Sequence, residues 1–135
     1  MKIEFTKHYL KDFQTLTDKK QVEAVNKVVK TVEESPNFLD LMQKIDIKKY
    51  NKGLGGYRIR FSNNPEMRIR FELENDNTEP TGKKLKFQIC LPREKYEKYA
   101  HVAVNINENE EKGLKVKLTE EQMQVLKIYL NENLI

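Results

Sequence analysis

The stretch YRIRFSNNPEMRIRFELE, residues 57–74, alternates apolar and polar side chains with a period of two. Tyr57, Ile59 and Phe61 fall on one face and Arg58, Arg60 and Ser62 on the other; Met67, Ile69, Phe71 and Leu73 repeat the inward set, with Arg68, Arg70, Glu72 and Glu74 outward. That period predicts two half-buried strands, and SNNPE between them predicts a hairpin loop. After the polar run NDNTEPTGKK, the segment LKFQICL predicts a third strand, with Leu85, Phe87, Ile89 and Leu91 inward and Lys86, Gln88 and Cys90 outward. The reading is a three- to four-stranded antiparallel meander with one face buried and the other, bearing Arg58, Arg60, Arg68 and Arg70, in water.

Working outward, MKIEFT predicts an N-terminal strand with Ile3 and Phe5 on one side. Thr6 can cap a helix through Leu16, with Tyr9, Leu10 and Phe13 at helical spacing. A second helix is predicted from Lys19 to Glu34 on the stripe Val22, Val25, Val29 and Val32, stopped by Ser35-Pro36. The two helices form an αα-hairpin that can cover the inward face of the sheet. Phe38, Leu39 and Leu41 fit a short helix and a packed loop equally well, IDIKKY is compatible with a short strand, and KGLGGY is a turn or a close backbone approach. Near the end, LKVKL alternates as a strand, and TEEQ supplies a capping box from Thr119 to Gln122 for a final helix bearing Met123, Leu126, Leu130 and Leu134. The fold class is therefore α+β, with a core domain over residues 1–105 and a strand-helix extension of it over 106–135. Two fates fit the extension: docking beside the sheet where a partner binds, or completing the core or a homodimer.

A chain of 135 residues has room for one domain. No run approaches the roughly 18 apolar residues of a membrane span, and MKIEFTKHYL lacks a signal peptide's apolar stretch, so a cytoplasmic protein without membrane contact is expected. One cysteine, Cys90, and two histidines, His8 and His101, argue against a disulfide and a metal centre, and no cofactor is expected. The formal charge is +4, yet residues 47–70 alone hold seven cations against the single acid Glu66, a local excess of +6. Such a block suggests a polyanion-binding surface, and an ordinary solvated face would carry the same charge.

Three motifs in this order resemble the RelE/ParE superfamily of bacterial toxins. They are the helix end EESP followed by lysines and glycines, the basic pair YRIRFSNN and EMRIRFEL, and LPREKYEKY, in which Arg93 precedes Tyr99 by six residues. In RelE-like members the resemblance implies messenger RNA cleavage on the ribosome, by attack of the RNA's 2′-hydroxyl on the adjacent phosphate, and it implies a cognate antitoxin as partner. By position Arg58 and Arg60 match a pair that is lysine in the best-known member. Arg68 matches the phosphate-binding arginine of the next strand. Arg93 and Tyr99 match the C-terminal pair, one stabilising the transition state and the other stacking on a base. Arg70, Lys48 and Lys49 would add RNA contacts.

Arginine stays protonated in proteins, so the departure at the lysine pair removes the expected general base. Lys95, Lys52, Tyr99 and His101 are the replacements this sequence offers, His101 having the most suitable pKa. Arg70 also has a plain structural role open to it, pairing with Glu72 or a cross-strand acid, while Tyr57 and Tyr96 fit packing positions. Cys90, placed on the basic face without a base partner, is not expected to act as a nucleophile. Two other functions fit the same motifs: a ParE-like inhibitor of DNA gyrase, and a relative that binds RNA or protein without cutting.

Overall fold

In the computed structural model, which describes residues 1–50 and 55–97, the elements are β1 (Lys2–Phe5), α1 (Lys7–Gln14), α2 (Lys19–Glu34), α3 (Phe38–Lys44), β2 (Asp46–Lys49), β3 (Tyr57–Phe61), β4 (Met67–Asn75) and β5 (Lys83–Pro92). Residues 93–97 are helical and are labelled α4. The strands form one mixed sheet in the order β1-β5-β4-β3-β2, with β1 parallel to β5 and every other pair antiparallel. This is the α+β class expected, with the meander extended to four strands and closed by β1. The strand and helix expected near the C-terminus lie outside the described residues.

The helix starts obey local chemistry. Thr6 Oγ1 accepts the Tyr9 N–H at 3.2 Å and its hydroxyl donates to the Phe87 carbonyl at 2.8 Å, so one residue caps α1 and ties it to β5. Asp18 accepts the Lys20 N–H at 2.8 Å at the start of α2. Asn37 accepts the Asp40 N–H at 2.8 Å, and this cap settles the open reading at residues 38–44 in favour of a helix. At the other end of α2 the Met1 ammonium donates to the carbonyls of Val32, Glu33 and Ser35, putting positive charge where the helix dipole favours it.

Tyr9, Phe13, Val25, Val29, Val32 and Leu41 pack on Ile59, Ile69, Phe71, Leu85 and Phe87. Phe71 lies at the centre, stacked on Tyr57 with centroids 5.1 Å apart, while Phe5 meets Phe87 edge-on at 5.9 Å. Such pairs add about 0.5–1.5 kcal/mol each beyond area burial.

The expected alternation fails in β5. Phe71 pairs with Phe87 but Arg70 pairs with Ile89, so Gln88 is an extra residue, and a one-residue bulge inverts a period-two pattern. Cys90 therefore lies in the main core, and Ile89 and Leu91 turn to the opposite face, where they pack with Tyr96 of α4. The opposite face is thus not wholly in water as expected, because Tyr96 covers one end of it and several of its polar residues are buried.

The bulge is held from the helix layer. β1 stops at Phe5, opposite Phe87, and beyond that point the Cys90 N–H donates to Asp12 Oδ2 at 3.0 Å. Asp12 is buried, with His8 Nδ1 3.3 Å away. Burial pushes the Asp12 carboxyl above 3.8, against the opposing pull of His8 and of the Cys90 N–H. Asp12→Ala is expected to cost about 1–3 kcal/mol in urea unfolding, since it orphans a buried N–H. Asp12→Asn keeps an acceptor and is expected to cost less. With the folded pKa raised, the native state binds more protons just above pH 3.8, so stability falls as pH rises through that window. The asparagine variant is expected to lose this slope when midpoints are measured against pH.

Candidate phosphate-binding face

Register places side chains in rows across the sheet, on the face away from α1 to α3. One row runs Lys48, Arg58, Arg70, Ile89 and the next Asp46, Arg60, Arg68, Leu91. Neighbours in a row are about 5 Å apart, and the rows about 6.6 Å, from strand geometry. Lys49 does not join them. It pairs with Tyr57, whose ring packs on Phe38 and Phe71 in the core layer, so alternation sends Lys49 to the face opposite Lys48.

The second row is neutralised. Arg60 Nε donates to Asp46 Oδ2 at 2.9 Å, and Arg68 Nε donates to Glu66 Oε2 at 3.0 Å. Glu66 also lies 3.6 Å from Arg60 Nε and 4.0 Å from Arg93 Nε, and Glu97 Oε1 lies 3.4 Å from both Arg68 and Arg93. Three guanidiniums thus meet three carboxylates, with Arg68 also over the Tyr96 ring at 5.8 Å. The Arg93 N–H donates to the Glu66 carbonyl at 2.9 Å, tying the start of α4 to the start of β4.

The first row has no such balance. Arg70 is 3% exposed, donating to the Gly55 carbonyl and to Gln88 Oε1, with its guanidinium 5.7 Å from the Tyr50 ring centroid. It does not pair with Glu72, whose cross-strand neighbour is Lys86. Arg58 is 8% exposed, and among the described residues its Nη1 has no hydrogen-bond partner and its guanidinium no carboxylate. Lys48 is exposed beside it. A nearly buried guanidinium with an idle N–H is costly, and an anion removes that cost. Row one, at three positive charges, is the place on this face where an incoming phosphate meets uncompensated charge.

Gly56 shapes this row. Its φ is +81°, and a Cβ there would run into the Arg70 guanidinium. Gly56→Ala is expected to cost about 1–2 kcal/mol for the left-handed backbone alone, and to push Arg70 off Gly55. A thermal melt and a binding titration should both register the change.

Tyr50 and Tyr96 share a hydrogen bond between hydroxyls at 2.6 Å, and burial followed by that bond pushes the Tyr96 hydroxyl far above its ordinary value of 10.0. Tyr96 is therefore no base. Lys95 is exposed on an open groove of about 510 Å³ shared with Asn63, Asn64, Glu66 and Arg93. Lys52, Tyr99 and His101 lie outside the described residues. Sequence reasoning missed Glu66 and Tyr50 as parts of the face, and placed Gln88 outward without foreseeing its contact with Arg70. Glu66 stood out as the lone acid of the basic block, and its place at the head of β4 was the available signal.

Among the described residues no three His, Cys, Asp or Glu side chains gather as a metal site, and no helix is long and apolar enough to cross a membrane. No family model, curated protein or solved structure matches the chain.

Proposed function

We propose that the face centred on Lys48, Arg58 and Arg70 binds RNA phosphate, and that the chain is a RelE-like toxin cleaving messenger RNA, with the ribosome as its place of action and an antitoxin as its partner. The observation carrying this reading is Arg58, a guanidinium nearly removed from water with no counter-charge among the described residues. Phosphoryl transfer by 2′-hydroxyl attack gives the phosphate extra negative charge, and preorganised guanidiniums in a partly dry site stabilise that charge. Arg58 and Arg70 grip the phosphate, Arg68 lies one row further along with Arg93 of α4 joined to it through Glu66 and Glu97, and proton transfer falls to Lys95, Lys52, Tyr99 or His101. The α+β class supports the reading in general kind, although a third helix, α3, stands between the helix pair and the antiparallel strands.

A relative that binds RNA without cutting is the second reading, favoured by the carboxylates already on Arg60, Arg68 and Arg93. Controlled expression, with transcript ends mapped and replication followed in parallel, separates the possibilities. New 5′ ends in messenger RNA support cleavage. Replication arrest without new ends points to gyrase, and RNA retention with neither supports the binder.

A further inference from the structure

The carboxylate of Glu66 stands where three guanidiniums converge: Arg68 at 3.0 Å, Arg60 at 3.6 Å and Arg93 at 4.0 Å. Glu97 closes the same cluster from α4, at 3.4 Å from Arg68 and Arg93. A ring of arginines around one anionic centre is the coordination a phosphodiester takes, since guanidinium forks bind carboxylate and phosphate alike. The geometry points to Glu66 as an internal stand-in for phosphate: Arg60, Arg68 and Arg93 form a second phosphate subsite, and an RNA phosphate enters it by displacing the Glu66 carboxylate. This rests on reading the face as RNA-binding.

The two rows then differ in kind. Arg58 and Arg70 present charge without a carboxylate and make the first contact. At the second row each guanidinium already has its counter-charge, so a phosphate arriving there must break an ion pair and gains little from counterion release. RNA affinity is accordingly limited by Glu66. Local exposure allows the exchange, because the Arg60 side chain is 50% and the Arg93 side chain 58% exposed.

The test is binding of a short single-stranded 2′-O-methyl RNA, which lacks the attacking hydroxyl, by the full chain across a range of salt. Glu66→Gln is expected to tighten binding by about tenfold and to steepen the slope of log affinity against log salt by about 0.7 to 1.4, one to two freed phosphate contacts. Glu94→Gln removes the same charge from the same groove without touching a guanidinium among the described contacts, and its expected change is less than about twofold. Glu97→Gln, which strips the cluster from α4, is expected to shift affinity and slope in the direction of Glu66→Gln, and it decides the matter should Glu66→Gln fail to fold. Equal effects of Glu66→Gln and Glu94→Gln would overturn the stand-in role and leave row one intact. Failure of the parent chain to bind the oligonucleotide would overturn the RNA-binding reading, and the subsite with it.

Discussion

Arg58→Met is expected to weaken binding of single-stranded RNA by tenfold or more while leaving the protein more stable than the parent. The two effects have one origin. Arg58 is 8% exposed with Nη1 unpartnered, so the folded chain bears the desolvation of a cation and recovers little of it. Methionine matches the length of the aliphatic stem and has no polar hydrogen to satisfy, so unfolding should become harder by about 1–3 kcal/mol. The lost phosphate contact should flatten the salt slope by about 0.7. Arg60→Met is the comparison: its guanidinium is exposed and paired with Asp46, so stability should move by less than about 0.5 kcal/mol. Chemical melts with salt-dependent binding on both variants decide the matter. A destabilised Arg58→Met with parental affinity would make Arg58 a packing residue, and the proposed function would lose its main support.

The opposition of function and stability at Arg58 was invisible in the sequence, although the strand that holds it was plain. YRIRF and MRIRFELE alternate without interruption, so β3 and β4 were legible residue by residue, and the helix from Lys19 to Glu34 was legible from its valine stripe and the Ser35-Pro36 stop. β5 was misread beyond Phe87 because LKFQICL alternates across the bulge as smoothly as a regular strand would. The shifted strand finds its partner in Asp12, 78 residues earlier, whose carboxylate accepts the Cys90 N–H. Pairing was equally hidden. Four arginines alternate outward, but whether each is spent on a carboxylate depends on Asp46, Glu66 and Glu97, which only the fold brings alongside. Lys48 and Lys49 show the converse error: adjacent in sequence, they were grouped as one patch, although a strand sends neighbours to opposite faces.

Tyr96 links this second face to stability, and its truncation is the other large effect expected. The ring is 3% exposed, packs on Ile89 and Leu91, lies under the Arg68 guanidinium and bonds to Tyr50 through its hydroxyl. Tyr96→Ala removes a buried aromatic ring, which costs about 3–5 kcal/mol where the site does not collapse. It also loosens α4 beyond the Arg93 N–H bond to the Glu66 carbonyl, so Glu97 leaves the cluster and, among the described residues, Arg68 keeps Glu66 as its carboxylate. Tyr96→Phe holds the ring and loses one hydrogen bond, for about 1 kcal/mol. The phenylalanine variant is therefore expected to bind RNA as the parent does, whereas the alanine variant binds with altered salt dependence at temperatures where it remains folded. The alkaline limb separates them further. With the folded pKa of Tyr96 raised above 10.0, the unfolded chain ionises first, and parent stability falls as pH rises past that value. Tyr96→Phe removes this contribution and should flatten the limb. Loss of cleavage in Tyr96→Phe with binding and fold intact would give the hydroxyl a chemical role, contrary to a phenol held protonated by burial.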